Sequence, residues 1–184
     1  SQAQEALPVL LQAAGAQLLH VHHTLGWPQW LYTLHARLNV PLWVTLHDFY
    51  PLCPQVTLTT SKGRYCGQTS SNECDACLSS RPAPRHVSIH TWRSQHDAWL
   101  QQAQRLFSPS DDTTKRYEQI FPGLRYELAS HAWLEPLPLP ERQRTLPSPG
   151  TPWRIGLLGR IVSAKGLDVL EAVAELAQSQ AAPI

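Results

Sequence analysis

Trp43-Val44-Thr45-Leu46-His47-Asp48-Phe49-Tyr50-Pro51-Leu52-Cys53-Pro54 is the stretch on which the fold turns. Its first half is an apolar, β-branched run after Pro41, the composition of a buried strand, and it stops at a His-Asp pair followed by a proline-punctuated turn. In an open α/β sheet, ligands gather outside the carboxyl ends of parallel strands, so a titratable pair there is placed for chemistry. The alternative is a His and an Asp that merely cap the strand end.

Working outward from this strand, the pattern alternates. Residues 2 to 16 predict a helix with Ala6, Leu10, Ala13 and Ala14 on one face and Gly15 as its stop. Gln17-Leu18-Leu19-His20-Val21-His22-His23 predicts a short strand ending in histidines, and Trp27 to Leu38 a helix opened by Pro28. Downstream, Trp92 to Ala103 reads as a helix with Trp92, His96, Trp99, Leu100 and Ala103 on a common side. Leu106-Phe107 is a short strand, and Ser108-Pro109-Ser110-Asp111 supplies start signals for a helix over Thr113 to Phe121. Tyr126 to Ala129 is a further strand. Short connections between alternating strands and helices predict an α/β domain with a Rossmann-like parallel sheet and right-handed crossovers.

Composition bounds the function. The chain has 184 residues, 42% hydrophobic and 16% charged, with no apolar run of transmembrane length. A net charge of +1 gives no global pull toward nucleic acid. There is no Met and no signal-peptide pattern, and Ser1-Gln2-Ala3-Gln4 runs straight into a helical pattern, as expected of a piece of a longer protein. Prolines thicken from Pro136 to Pro152 among polar residues, which is the chemistry of a stiff linker. Three segments follow: a domain over 1–135, a linker over 136–152, and the start of a second domain over 153–184.

Residues 53–90 interrupt the rhythm with Ser, Thr, Cys, Pro and Gly, an excursion too long for a compact domain unless something holds it. All four cysteines lie there: Cys53, Cys66, Cys74 and Cys77, the last two as Cys-Asp-Ala-Cys. Two thiolates separated by two residues can grip a tetrahedral ion from a tight turn, with Cys53 and Cys66 as the other two ligands of a structural zinc. Free or redox-active thiols and disulfides are the alternatives, and nothing secretory argues for the last.

Beyond the linker, Trp153 to Arg160 predicts a strand running into Gly159. Ser163-Ala164-Lys165-Gly166 follows, then a helix with Leu167, Leu170, Val173, Ala174 and Ala177 inward. A glycine turn admits an anion to the backbone, a helix N-terminus offers amides, and Arg160 with Lys165 adds two cations.

Leu46-His47-Asp48-Phe49-Tyr50-Pro51-Leu52-Cys53-Pro54, Ser108-Pro109-Ser110, and Gly159-Arg160-Ile161 with Lys165-Gly166-Leu167-Asp168-Val169-Leu170 resemble, in order and rough spacing, the retaining glycosyltransferases of GT-B fold, group 1 or family-4-like. The resemblance implies an incomplete GT-B fold, comprising most of the N-terminal domain and the first β-α unit of the C-terminal one. It implies transfer of a sugar with retention from a nucleotide-diphosphate donor to a saccharide or lipid-linked acceptor, with no cofactor required. The setting implied is polysaccharide or glycolipid assembly in the cytoplasm, with peripheral contact to the inner face of a membrane. Residue by residue, Arg160 and Lys165 would neutralise the donor diphosphate, Gly159 and Gly166 would bring it near the backbone, and His47, oriented by Asp48, would lie near the donor sugar. No enzymic nucleophile is assigned.

The sequence departs from that family in two respects. Its glycine-rich loop after the first strand is absent, and the acidic pair spaced by seven residues is missing from the C-terminal portion; Glu127 and Glu135 have similar spacing but precede the Gly-Arg motif. The piece alone is therefore expected to be inactive. Two other classes compete: a metal-dependent hydrolase using His20, His22 and His47, and a noncatalytic sugar-binding module. Trp27, Trp30 and the nearby prolines suit either acceptor contact or aromatic packing.

Overall fold

The computed structural model describes residues 2–68, 70–130, 148, 151, 156, 158–159 and 161–179. The chain divides into two compact units, Ser1–Trp133 and Leu134–Ile184.

The first unit is α/β. Four strands, β1 (Leu19–Val21), β2 (Leu42–Thr45), β3 (Arg105–Ser108) and β4 (Tyr126–Leu128), form one sheet in the order β1-β2-β3-β4, and every pairing is parallel. Their connections carry helices α1 (Gln2–Ala13, before β1), α2 (Leu34–Leu38), α3 (Ser71–Ser80), α4 (Ile89–Leu100) and α5 (Asp111–Ile120). The strand-helix alternation and the parallel sheet agree with the sequence expectation of a Rossmann-like arrangement.

Side chains alternate across the sheet. Val21, Leu42, Val44 and Leu106 point to one face, where they pack with Trp99 and Leu100 of α4 and Tyr117 of α5. Leu52, Ile89 and Leu100 are fully shielded, and each contributes roughly 1.5–3 kcal/mol of apolar burial. The other face carries His20, Trp43 and Phe107, whose rings meet at 5.6–6.0 Å, with the Arg105 guanidinium 4.6 Å above the Phe107 ring and ion-paired with Glu127.

Two of the helices differ most from the sequence reading. α1 ends at Ala13, with Gly15 at φ 69, and turns Leu7 and Leu11 rather than Ala6 and Leu10 toward Leu31, Leu34 and Leu38. Two leucines at i and i+4 offer more apolar surface than the alanine stripe. The 27–38 segment is a 3-10 turn over Gln29–Thr33 followed by the short α2. Thr33 leaves helical geometry at φ −105, ψ 2, and its hydroxyl bonds the Trp30 carbonyl, competing with the backbone ladder. Asn39 ends α2 at φ 53, a left-handed cap.

The 53–90 excursion is more ordered than its composition suggests. Ser70 and Glu73 form a reciprocal capping box that opens α3, and Ser88 accepts from the Thr91 amide to start α4 three residues before Trp92.

In the second unit, a turn over Ser163–Lys165 and helix α6 (Leu167–Ser179) are described. The expected strand over 153–160 lies largely outside the described residues, as do Arg160, Glu135 and most of the 136–152 segment. On α6, Ala177 is buried, while Val173 and Ala174 are exposed rather than inward. Among the described residues, no helix is long and apolar enough to cross a membrane.

Candidate functional site

The carboxyl ends of β1 and β2 lie side by side because Val21 pairs with Val44. That register carries two polar pairs off the sheet together: His22-His23 after β1 and His47-Asp48 after β2. Nδ1 of His23 lies 2.7 Å from Oδ2 of Asp48, and Nδ1 of His47 lies 3.5 Å from the same oxygen. The two imidazoles meet edge to face at 5.6 Å. Asp48 is thus the hinge of a His-Asp-His cluster, with His23 its nearer partner. Besides His47, which sequence reading paired with Asp48, the same carboxylate oxygen meets His23, so it is shared between two rings.

Asp48 itself is held rigidly. Its Oδ1 accepts the Tyr50 amide at 2.7 Å, an Asx turn that accounts for the sharp exit from β2. The buried Tyr117 hydroxyl donates to the Asp48 carbonyl at 2.7 Å. Further along the same loop, the Trp92 indole donates to the Tyr50 carbonyl and the Arg93 guanidinium to the Leu52 carbonyl. Side chains from α4 and α5 therefore fix the loop that sequence reading marked by its prolines. The His47 side chain is 40% exposed and that of Asp48 20%, so the cluster faces solvent from a braced base. A cavity of about 20 Å³ adjoins it, room for about one water.

The remaining sequence candidates sort differently. Ser108 is buried with its hydroxyl on the Ser110 carbonyl, and Ser110 caps α5 by accepting from the Thr113 amide. That third polar strand end is spent on starting a helix. His20 stacks 4.2 Å from His22 and shares a hydrogen bond with Thr45 on the sheet face that carries Trp43 and Phe107. Burial, with help from His22, lowers the pKa of His20. Among the described residues, no group of three or more His, Cys, Asp or Glu is gathered closely enough to hold a metal ion, and the proposed His20-His22-His47 set is no exception. Glu127 is engaged by Arg105.

All four cysteines are half-buried. Burial raises the Cys53 thiol pKa, with Cys66, Cys74 and Cys77 near enough to add repulsion. Two guanidiniums face this group: Arg81 donates to Sγ of Cys77 at 3.1 Å and Arg93 to Sγ of Cys74 at 3.6 Å. A zinc ion with four thiolates carries a double negative charge, so the donor set fits such a centre in chemistry, although the sulfurs are not drawn together about one point.

In the second unit, Gly159 has φ 113 and Gly166 φ 90, left-handed values that glycine adopts without strain. Lys165 is exposed between them, beside a cavity of about 30 Å³ that also touches Ile161 and Leu170. Asp168 in the first turn of α6 accepts from the Ser163 hydroxyl at 3.0 Å.

Sequence reading placed His23 in the histidine run that ends β1 but gave it no role of its own. Its signal lies in the pairing of β1 with β2, which only the register reveals. Compared with models of known protein families, with curated proteins and with solved structures, the chain matches none.

Proposed function

We propose that the chain is part of a retaining glycosyltransferase of GT-B fold, transferring a sugar from a nucleotide-diphosphate donor to a saccharide or lipid-linked acceptor. The observation that carries the reading is the His23-Asp48-His47 cluster, braced at the carboxyl ends of two adjacent parallel strands, where α/β sheets bind ligands. The motif order quoted above adds to it. In this reading the cluster faces the donor sugar and polarises its hydroxyls, while Lys165 and Arg160 meet the diphosphate. Charge grows on that phosphate as the glycosidic bond breaks, so preorganised cations favour the transition state over the ground state. Gly159 and Gly166 let the phosphate approach the backbone. The reading brings with it a cytoplasmic setting with peripheral membrane contact.

Calorimetric titration of UDP- and GDP-sugars into the full chain, with Lys165→Ala and Arg160→Ala beside it, tests this. One donor is expected to bind, and each variant to weaken it roughly ten- to a hundredfold, the loss of a charge-assisted contact. A folded chain that binds no nucleotide sugar overturns the reading. A structural zinc on Cys53, Cys66, Cys74 and Cys77 belongs to the same proposal and requires the loop to contract about the ion. Metal analysis of the purified chain is expected to find one equivalent, and a folded, metal-free chain would exclude it.

A further inference from the structure

Beside the His-Asp-His cluster, a much larger cavity of about 500 Å³ opens between the 27–33 turn and α4. That volume falls within the range of small-molecule sites. Tyr50 and Trp99 line both this cavity and the small one at Asp48, so the two adjoin. Its walls are aromatic: Trp27, Tyr32 and Trp92 join Tyr50 and Trp99. Such rings present flat, weakly negative faces suited to the C–H faces of a sugar.

At its rim stands a cation. Arg85 donates to Oε1 of Gln29 at 2.6 Å and to Oε1 of Gln95 at 3.0 Å, so two neutral amides from opposite walls hold the guanidinium across the cavity. Among the described residues, Arg85 forms no ion pair, unlike Arg105 and Arg116, which have Glu127 and Asp112. Arg85 and His86 both occupy left-handed backbone, at φ 63 and φ 54. Outliers of that kind persist where surrounding structure over-determines them, often at ligand clamps.

We infer that this cavity binds a saccharide bearing an acidic group, its ring stacked on the aromatic wall and its anion on Arg85. The guanidinium's planar fork suits a carboxylate or phosphate, and the amides of Gln29 and Gln95 offer N–H donors to neighbouring hydroxyls. Only the identification of this ligand as the sugar acceptor rests on the transferase reading; the binding itself does not.

Three of the chain's seven tryptophans line the cavity, so intrinsic fluorescence reads its occupancy. The full chain is titrated with cellobiouronic acid, cellobiose, glucose 1-phosphate and inorganic phosphate, and the same series is run on Arg85→Gln and on Arg105→Gln as a distant control. The expected result is saturable quenching by an acidic sugar, with cellobiose and the Arg85→Gln variant weaker by roughly ten- to a hundredfold and the control unchanged. Preference between cellobiouronic acid and glucose 1-phosphate names the acidic group. Equal binding of cellobiose, quenching by inorganic phosphate alone, or no response to either acidic sugar overturns the inference. Donor binding in the calorimetric titration is scored separately, so a chain that binds nucleotide sugar but no acidic saccharide loses this proposal and keeps the other.

Discussion

At the scale of the residue, burial acts on a histidine that lines the aromatic cavity. His96 is 4% exposed; Nδ1–H donates to the Trp92 carbonyl at 2.8 Å, which leaves Nε2 to accept from the Tyr32 hydroxyl at 3.3 Å. Burial lowers its pKa below the usual 6.5, against a smaller upward pull from that carbonyl, and Arg85 adds to the lowering. The unfolded chain therefore takes up a proton where the folded one resists it. Stability is complete above pH 6.5 and is lost as pH falls through that value toward the depressed folded pKa, below which the loss is constant. His20 and His35, also lowered by burial, act in the same direction. Melting temperature is thus expected to be level above about pH 7 and to decline below it, with a shallower decline in His96→Gln. An unchanged slope in that variant would show that His96 does not contribute. The same neighbourhood marks what a sequence can disclose: Asp48 is legible because the strand before it and the proline after it are local signals. His23 becomes its partner only through pairing between strands far apart in the chain, and local patterns carry no record of that.

At the scale of the element, α1 solves a problem its sequence poses. Pro8 lies inside the helix, buried, and has no N–H to donate to the Gln4 carbonyl one turn back. Nη1 of Arg37, from α2, donates to that carbonyl at 2.9 Å in its place. The substitute bond ties α1 to α2, where Leu7 and Leu11 already meet Leu34 and Leu38. A double-mutant cycle isolates it. Arg37→Ala alone is expected to cost about 1 kcal/mol, and appreciably less in a Pro8→Ala background, where the backbone regains the missing N–H donor. Equal costs in both backgrounds, measured by denaturant unfolding, would mean the bond does not substitute for the helical one. Periodicity and caps make the existence of the helices readable. The inward face of α1 is not readable in that way, because alanines and leucines both fit the period, and packing against α2 chooses the leucines. The 27–38 segment reads as one long helix for a related reason: Thr33 carries a side-chain hydrogen bond that periodicity ignores.

At the scale of the whole molecule, the core that the described residues bury lies almost wholly in the first unit. Among the described residues, the three buried apolar clusters all belong to the first unit: the sheet with α4 and α5, the Tyr50-Ile89-Trp92 group, and the α1-α2 leucines. Among the described residues of the second unit only Ala177 is buried, while Val169, Val173 and Leu176 of α6 are 43–67% exposed. A domain's cooperative unfolding follows its buried core, so residues 1–133 are expected to carry the main transition. Calorimetry of that segment beside the full chain should give melting temperatures within a few degrees of each other, the shift that about 1 kcal/mol produces in a domain of this size. A much lower value, or loss of the transition, would mean that residues beyond 133 complete the core of the first unit. The prediction also bears on function, because the His-Asp-His cluster and the aromatic cavity both lie within 1–133. If that segment folds alone, acidic-saccharide binding should survive in it, whereas nucleotide-sugar binding, which the proposed function assigns to Lys165 and Arg160, should vanish.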